Sequence, residues 1–283
     1  MASARVGRET RVLKRGFGGQ RRKPMSLCKS RIIISGGSHA TCLGVPHTSL
    51  NLKPELVQID YRFDAMTGIF PRDQAYWTEL VNLAAHRTVA IIWNGNQHYG
   101  RFLLAETPPI DLVLPDEPHR PIDPNAVVVP VLRLKELWQQ TFVELTLIIK
   151  SLKAREGCRP ILVGTPPPIR TDESIRAALM RKDDFFVKVS QYFNIDLATA
   201  DLTPRPVMYK LWATVQSSMR DVAELCQIPF LGVSRATQTD EGFLRDEYSQ
   251  AVDFTHANSS YGNLMRAHID AFAGGLEKEY ASL

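Results

Sequence analysis

Arg31-Ile-Ile-Ile-Ser-Gly-Gly-Ser38 is the stretch that decides the fold. A short β-branched run closed by two glycines reads as a buried strand that stops at a sharp turn. Thr88-Val-Ala-Ile-Ile-Trp93 repeats the pattern and runs into Asn94-Gly-Asn-Gln97. Arg159-Pro-Ile-Leu-Val-Gly164 is a third such segment, followed by Thr165-Pro-Pro-Pro168. Weaker strands are expected at 56–60 and 229–233. Apolar residues at helical spacing (Ala75, Trp77, Leu80, Val81 and Ala84) predict a helix over 73–86, and further helices are expected over 134–155, 173–193, 207–226 and 259–273. Short buried strands alternating with helices imply an α/β fold with a mainly parallel central sheet and helices on both faces, a three-layer α/β/α sandwich.

In an open sheet of this kind ligands bind beyond the carboxyl ends of the strands. Ser38 lies past one strand end and Asn96 past another, and the Thr165-Pro-Pro-Pro168 segment follows a third. Topology alone therefore brings these polar loops to one edge. The stretch 108–130 holds seven prolines and cannot be a regular element throughout; it reads as a long surface excursion that walls the substrate site.

The chain of 283 residues is 44% hydrophobic and 23% charged, ordinary globular composition and enough to bury a large core. Its net charge of +4 is unevenly spread. Residues 1–31 carry ten Lys or Arg and one acid, Glu9; taking these from totals of 34 basic and 30 acidic residues leaves 24 against 29, a body of about −5. No nucleic-acid partner is expected for such a body. Residues 1–29 read as a basic, disordered extension, and 30–283 as one catalytic domain. The cysteines Cys28, Cys42, Cys158 and Cys226 have neither CxxC pairing nor metal-ligand spacing, and read as thiols of a reducing compartment. No span approaches the roughly 20 apolar residues that cross a bilayer, and the basic start lacks the apolar core of a secretory signal, so a cytoplasmic location is expected. No phosphate loop, dinucleotide fingerprint or His/Cys metal cluster is visible, and no metal or cofactor is expected.

A serine hydroxyl needs a base to take its proton and fixed donors for the oxyanion it generates. Ser38 follows two glycines that permit a tight turn. Near the other end of the chain, in Asp253-Phe-Thr-His256, a turn or loop can set the carboxylate beside the ring, fixing its tautomer and stabilising the imidazolium. Asp183-Asp184 reads instead as a solvated helix face, since adjacent carboxylates on a helix diverge.

Ile32-Ile-Ile-Ser-Gly-Gly-Ser-His-Ala40, Ala90-Ile-Ile-Trp-Asn-Gly-Asn-Gln97 and Asp253-Phe-Thr-His-Ala-Asn-Ser-Ser-Tyr-Gly262 together resemble the blocks of the SGNH/GDSL hydrolase superfamily, over roughly residues 30–275. The resemblance implies a flavodoxin-like SGNH hydrolase fold. It also implies a carboxylic ester hydrolase with Ser38 as nucleophile, His256 as base and Asp253 as its orienting partner. The Ser38 N–H, Gly68 and Asn96 would form the oxyanion hole. Gly37 stands where the family has an acid, the Asn block keeps only its key Asn, and Gly68 is assigned by position alone. His39, Trp93 and His98 are the candidates for lining a pocket that takes a small-molecule or carbohydrate ester, acetyl among the acyl groups implied. Transfer of the acyl group to a sugar hydroxyl, or a non-catalytic binding protein keeping the fold, are the alternatives.

Overall fold

The computed structural model describes residues 31–46, 53–69, 71–181, 187–188, 191, 195–250 and 253–275. The expected extension 1–29, together with Cys28, His47, Asp183 and Asp184, lies outside them. In chain order the strands are β1 (Ile32–Gly36), β2 (Glu55–Gln58), β3 (Phe63–Thr67), β4 (Thr88–Ile92), β5 (Ile110–Asp111), β6 (Val127–Val128), β7 (Arg159–Val163), β8 (Phe230–Leu231), β9 (Ser249–Gln250) and β10 (Asp253–Ala257). Six of them form the central sheet in the order β2-β3-β1-β4-β7-β8. Only the edge strand β2 is antiparallel to its neighbour. Every residue of β1, β3 and β4 is buried, as expected for parallel strands covered on both faces.

The helices are α1 (Gln74–Leu83), α2 (Gln97–Phe102), α3 (Val131–Gln139), α4 (Val143–Lys153), α5 (Glu173–Met180), α6 (Arg205–Leu225) and α7 (Ser259–Ala273), which complete a three-layer α/β/α arrangement. None among the described residues is long and apolar enough to cross a membrane. The α1 helix starts where Asp73 caps it by accepting the Tyr76 N–H at 2.9 Å. Asn258 caps α7 in the same way, accepting from Ser260 and Tyr261.

Three expectations are corrected. The helix expected over 134–155 is two, α3 and α4, separated by a 3-10 turn at Gln140–Phe142. At that break the Thr141 carbonyl accepts the Trp93 indole N–H at 3.2 Å, while Trp138 and Phe142 are both turned into the core. Of the helix expected over 173–193, Glu173–Met180 forms α5, which closes in a turn at Arg181; residues 187, 188 and 191 are helical again, and 182–186, 189–190 and 192–194 lie outside the described residues. The strand β3, Phe63-Asp-Ala-Met-Thr67, was not expected, because its second residue is an acid. Asp64 is buried there and paired with Arg31 at 2.7 Å and Arg87 at 2.9 Å. Those pairs hold a charge that an unpartnered strand interior would not tolerate.

The proline-rich stretch 108–130 is folded back by the parallel pair β5 and β6. Its anchor is Lys210 on α6, which is buried and donates to Asp111 Oδ1 at 2.8 Å and to the Pro121 carbonyl at 2.7 Å. The excursion is thus pinned to α6.

Helix α7 lies directly on the turn that follows β1. A Cβ on Gly262 would fall 1.7 Å from the Cys42 carbonyl oxygen, so only glycine allows this approach. Arg266, one turn further on, donates to the Leu43 carbonyl at 2.9 Å. In an exposed helix a Gly→Ala change stabilises by roughly 1 kcal/mol. Here Gly262→Ala is expected to do the reverse, lowering urea-unfolding stability by about 1–3 kcal/mol through overpacking; unchanged or raised stability would refute the close contact.

Candidate active site

The carboxyl end of β1 approaches β4 so closely that Gly36, at φ +149°, has no room for a Cβ, which would sit 1.9 Å from the Ile92 carbonyl oxygen. Gly37 N–H then donates to that same carbonyl at 3.0 Å. A Cβ on Gly37 would lie 2.7 Å from Asn94 Oδ1. The space that an acid would need at this position is therefore held by Asn94. Residues Ser38–Leu43 follow as a 3-10 turn. In it Ser38 is half-buried, and His39 points the other way, into the protein, only 3% exposed.

At the end of β4, Asn96 leads into α2. Its Oδ1 lies 2.9 Å from Nε2 of His39. Gly95 lies against Thr165, beyond the end of β7, and Thr165 is clamped by α6. Gln216 donates to Thr165 Oγ1 at 2.9 Å and accepts the Thr165 N–H at 3.1 Å, while Trp212 donates to its carbonyl at 3.2 Å. The three strand-end loops thus converge as topology requires.

Asp253 and His256 belong to a strand, where a turn or loop was expected. The pairing of β10 with β9 is irregular: Asp253 faces Gln250, yet Ala257 faces Ser249, so four residues of β10 advance against one of β9. Residues three apart in a regular strand point to opposite faces. This bulge turns both to the same side. His256 Nδ1 lies 2.6 Å from Asp253 Oδ2. Asp253 Oδ1 accepts from Thr255 N at 2.8 Å, Thr255 Oγ1 at 2.7 Å and His256 N at 3.3 Å. Burial opposes ionisation of Asp253. The hydrogen bond and charge of His256, with the two bonds from Thr255, outweigh it and hold the carboxyl well below the usual carboxylate range. Nε2 of His256 is buried and has no partner among the described residues. Its ring lies 4.9 Å from that of His39, beside the turn that carries Ser38. No described residue hydrogen-bonds the Ser38 hydroxyl, and no Ser38–His256 bond is formed.

The other expected residues divide. Gly68 is buried at the carboxyl end of β3, next to β1 in the sheet. Its carbonyl and that of Gly36 both accept from Arg72, the latter at 3.0 Å, so one guanidinium ties the two loops together. His98 is buried in α2, its ring 4.4 Å from Tyr99, which meets Phe254 of β10 edge-on at 5.2 Å. Trp93 packs on Trp77 at 5.4 Å and donates to the Thr141 carbonyl at 3.2 Å. Thr255 and Arg72 were missed; the only signal for Thr255 was its place inside the Asp-x-x-His spacing.

The backbone is similar to solved structures of acyl-ester enzymes. A GDSL-like lipase from Bacteroides thetaiotaomicron is 11% identical with a TM-score of 0.45, covering 88% of this chain and 89% of that one. A Geobacillus stearothermophilus acetylxylan esterase is 12% identical with a TM-score of 0.43, covering 86% and 93%. The periplasmic domain of a Salmonella Paratyphi A lipopolysaccharide acetyltransferase is 15% identical with a TM-score of 0.44, covering 86% and 82%. No family model matches the sequence, and neither does any curated protein at significance. No group of three or more His, Cys, Asp or Glu side chains able to hold a metal ion occurs among the described residues.

Two histidines of the site are held neutral. Burial, reinforced by the charge of His256, lowers His39 from 6.5 to about 3, against the opposing hydrogen bond to Asn96 Oδ1 and the charge of Asp253. Burial, with the charges of His39 and Arg205, lowers His98 from 6.5 to about 3. A histidine that is harder to protonate folded than unfolded contributes stability above pH 6.5 and loses it as pH falls toward 3. Each is expected to cost about 1.4 kcal/mol per pH unit inside that window. Urea unfolding at intervals from pH 7 to pH 4 checks this, and His98→Gln should make the decline shallower; an unaltered slope would show that His98 does not titrate in this way.

Proposed function

We propose that this chain is a serine ester hydrolase of the SGNH/GDSL type, with its activity in residues 30–283 and residues 1–29 outside the catalytic domain. The observation that carries the reading is the Asp253–His256 pair. Its carboxylate fixes Nδ1 at 2.6 Å and leaves Nε2 as a buried, unpartnered base beside the Ser38 turn.

In the proposed reaction Ser38 Oγ attacks the acyl carbonyl carbon while His256 Nε2 takes the hydroxyl proton. The carbonyl π pair moves to oxygen, where the Ser38 N–H, the Gly68 N–H and the Asn96 amide N–H receive it. Collapse of the intermediate breaks the ester C–O bond, and the leaving alkoxide takes the proton from His256. Water then attacks the acyl-serine, giving its proton to His256, and Ser38 is regenerated as the free acid departs. Asp253 stays ionised throughout, its Oδ1 held by Thr255, and stabilises the imidazolium without accepting its proton. The missing Ser38–His256 bond is compatible with this reading, because catalytic hydrogen bonds often tighten only once substrate is bound. The sequence resemblance extends the proposal to small acyl groups, acetyl among them, carried on a carbohydrate or other alcohol.

Ser38→Ala is the test. On 4-nitrophenyl acetate the variant is expected to lose at least ~10³-fold in kcat, with Tm unchanged because the hydroxyl makes no bond to lose. Reaction with a fluorophosphonate probe should disappear with it. A variant that hydrolyses the ester like the wild type would overturn the assignment. With a sugar acceptor present, free acetate as the sole acetyl product supports hydrolysis, and an acetylated sugar would point to transfer.

A further inference from the structure

We propose that His39 is a positioning residue for the oxyanion hole: its Nε2–H holds Oδ1 of Asn96 and thereby directs the Asn96 amide N–H toward the acyl oxygen. The inference rests on the hydrolase reading above and adds to it the device that sets the orientation of one donor.

An asparagine amide can rotate by a half-turn about its last bond, exchanging oxygen for NH₂. In the wrong orientation the oxygen would face the developing oxyanion, and a stabilising contact would become a repulsive one. The 2.9 Å contact between His39 Nε2 and Asn96 Oδ1 selects between the two. An amide oxygen only accepts hydrogen bonds, so Nε2 carries the proton. A flipped amide would then set NH₂ against N–H, donor against donor. The Asn96 nitrogen has no partner among the described residues, which leaves its hydrogens for substrate.

The other tautomer of His39 would release this constraint, and the surroundings disfavour it. Nδ1 is buried without a hydrogen-bond partner. A lone pair in that position is tolerated better than an N–H, because orphaned buried donors are rarer than under-used acceptors. Nor can His39 replace His256 as the base. Its Nε2 is occupied by Asn96, and its Nδ1 is sealed in the interior. The two rings are 4.9 Å apart, so when His256 takes the serine proton the charge arises beside a ring that is costly to protonate. The Asn96 orientation therefore survives the step that needs it. Adjacency in sequence makes this possible: in the turn Ser38–Leu43 the serine faces outward and the next residue faces inward, toward the end of β4.

The test uses the full chain with 4-nitrophenyl acetate. His39→Leu removes the donor, and kcat is expected to fall roughly 10- to 100-fold, no further than in Asn96→Ala, with KM within about twofold since the hole acts in the transition state. His39→Gln places an amide N–H near the position of Nε2 and should keep kcat within about fivefold of wild type. The double variant His39→Leu/Asn96→Ala should be no slower than Asn96→Ala alone, because both changes remove the same contribution. Unchanged kcat in His39→Leu, equal losses in His39→Leu and His39→Gln, or multiplicative losses in the double variant would each overturn the inference while leaving the hydrolase intact. A wild-type chain that neither hydrolyses the ester nor labels at Ser38 would sink the hydrolase reading itself, and this inference with it.

Discussion

The contact of two backbones at the carboxyl ends of β1 and β4 sets the geometry of everything around the site. Gly36 lies so near the Ile92 carbonyl that no side chain fits between them, and Gly37 donates to that carbonyl before the chain turns away. Two loops that leave neighbouring strands this closely cannot drift apart. Ser38 and Asn96, two and four residues beyond these strand ends, are therefore kept near one another by backbone packing rather than by any bond between their own side chains. The sheet supplies the rigidity, and the loops carry the residues of the proposed chemistry.

The protein buries several polar groups, and they are accommodated by more than one means. Asp64 is paired with two arginines at the amino ends of the strands, and Lys210 with Asp111 and a carbonyl. Asp253 is kept ionised by Thr255 and the His256 pair. His39 and His98 are kept neutral by burial itself. These solutions are not interchangeable. In the proposed reaction a positive ring at residue 39 would face a positive His256 each time that histidine takes a proton, whereas a protonated Asp253 would no longer stabilise it. The charge pattern that makes the fold sensitive to acid is the same one that keeps a single histidine of the trio beside a carboxylate.

What could be read in the sequence follows from how each element is stabilised. β1, β4 and β7 are apolar and β-branched because both of their faces are covered, so a short run of such residues was a sufficient signal. β3 was not legible: its Asp64 is admissible only because Arg31 and Arg87 reach it from 33 and 23 residues away. The break between α3 and α4 was hidden for a related reason. The spacing of apolar residues continues through it, and the pause depends on an indole from another strand end taking the Thr141 carbonyl. The α7 boundaries, in contrast, were set locally by the Asn258 cap and emerged as expected. In the candidate site, the order of the motifs pointed to Ser38, Asn96 and the Asp253–His256 pair, and the fold brings the loops that carry them to one edge. Their supports, Thr255 and Arg72, could not be read in this way, since neither type is distinctive and each acts by bonding to something that only the fold brings near.

The same distinction explains why a histidine beside the serine was hard to interpret from sequence. Adjacent residues in a turn point apart, so proximity to Ser38 in the chain argues against a shared task with it. It argues nothing about the loop on the far side, where the inward-facing ring meets Asn96. On the proposed reading, the altered flanks of Asn96 and the histidine that follows Ser38 stop being two separate oddities. Asn96 stands without the Gly and Asp that flank it in the motif it resembles, and the ring entering from the neighbouring strand end is placed to restrain its amide instead. His39 and Asn96 lie 57 residues apart in the chain and 2.9 Å apart in space. On the proposed reading they form a single local solution, in which the turn that carries Ser38 also holds the amide proposed to stabilise the oxyanion formed there.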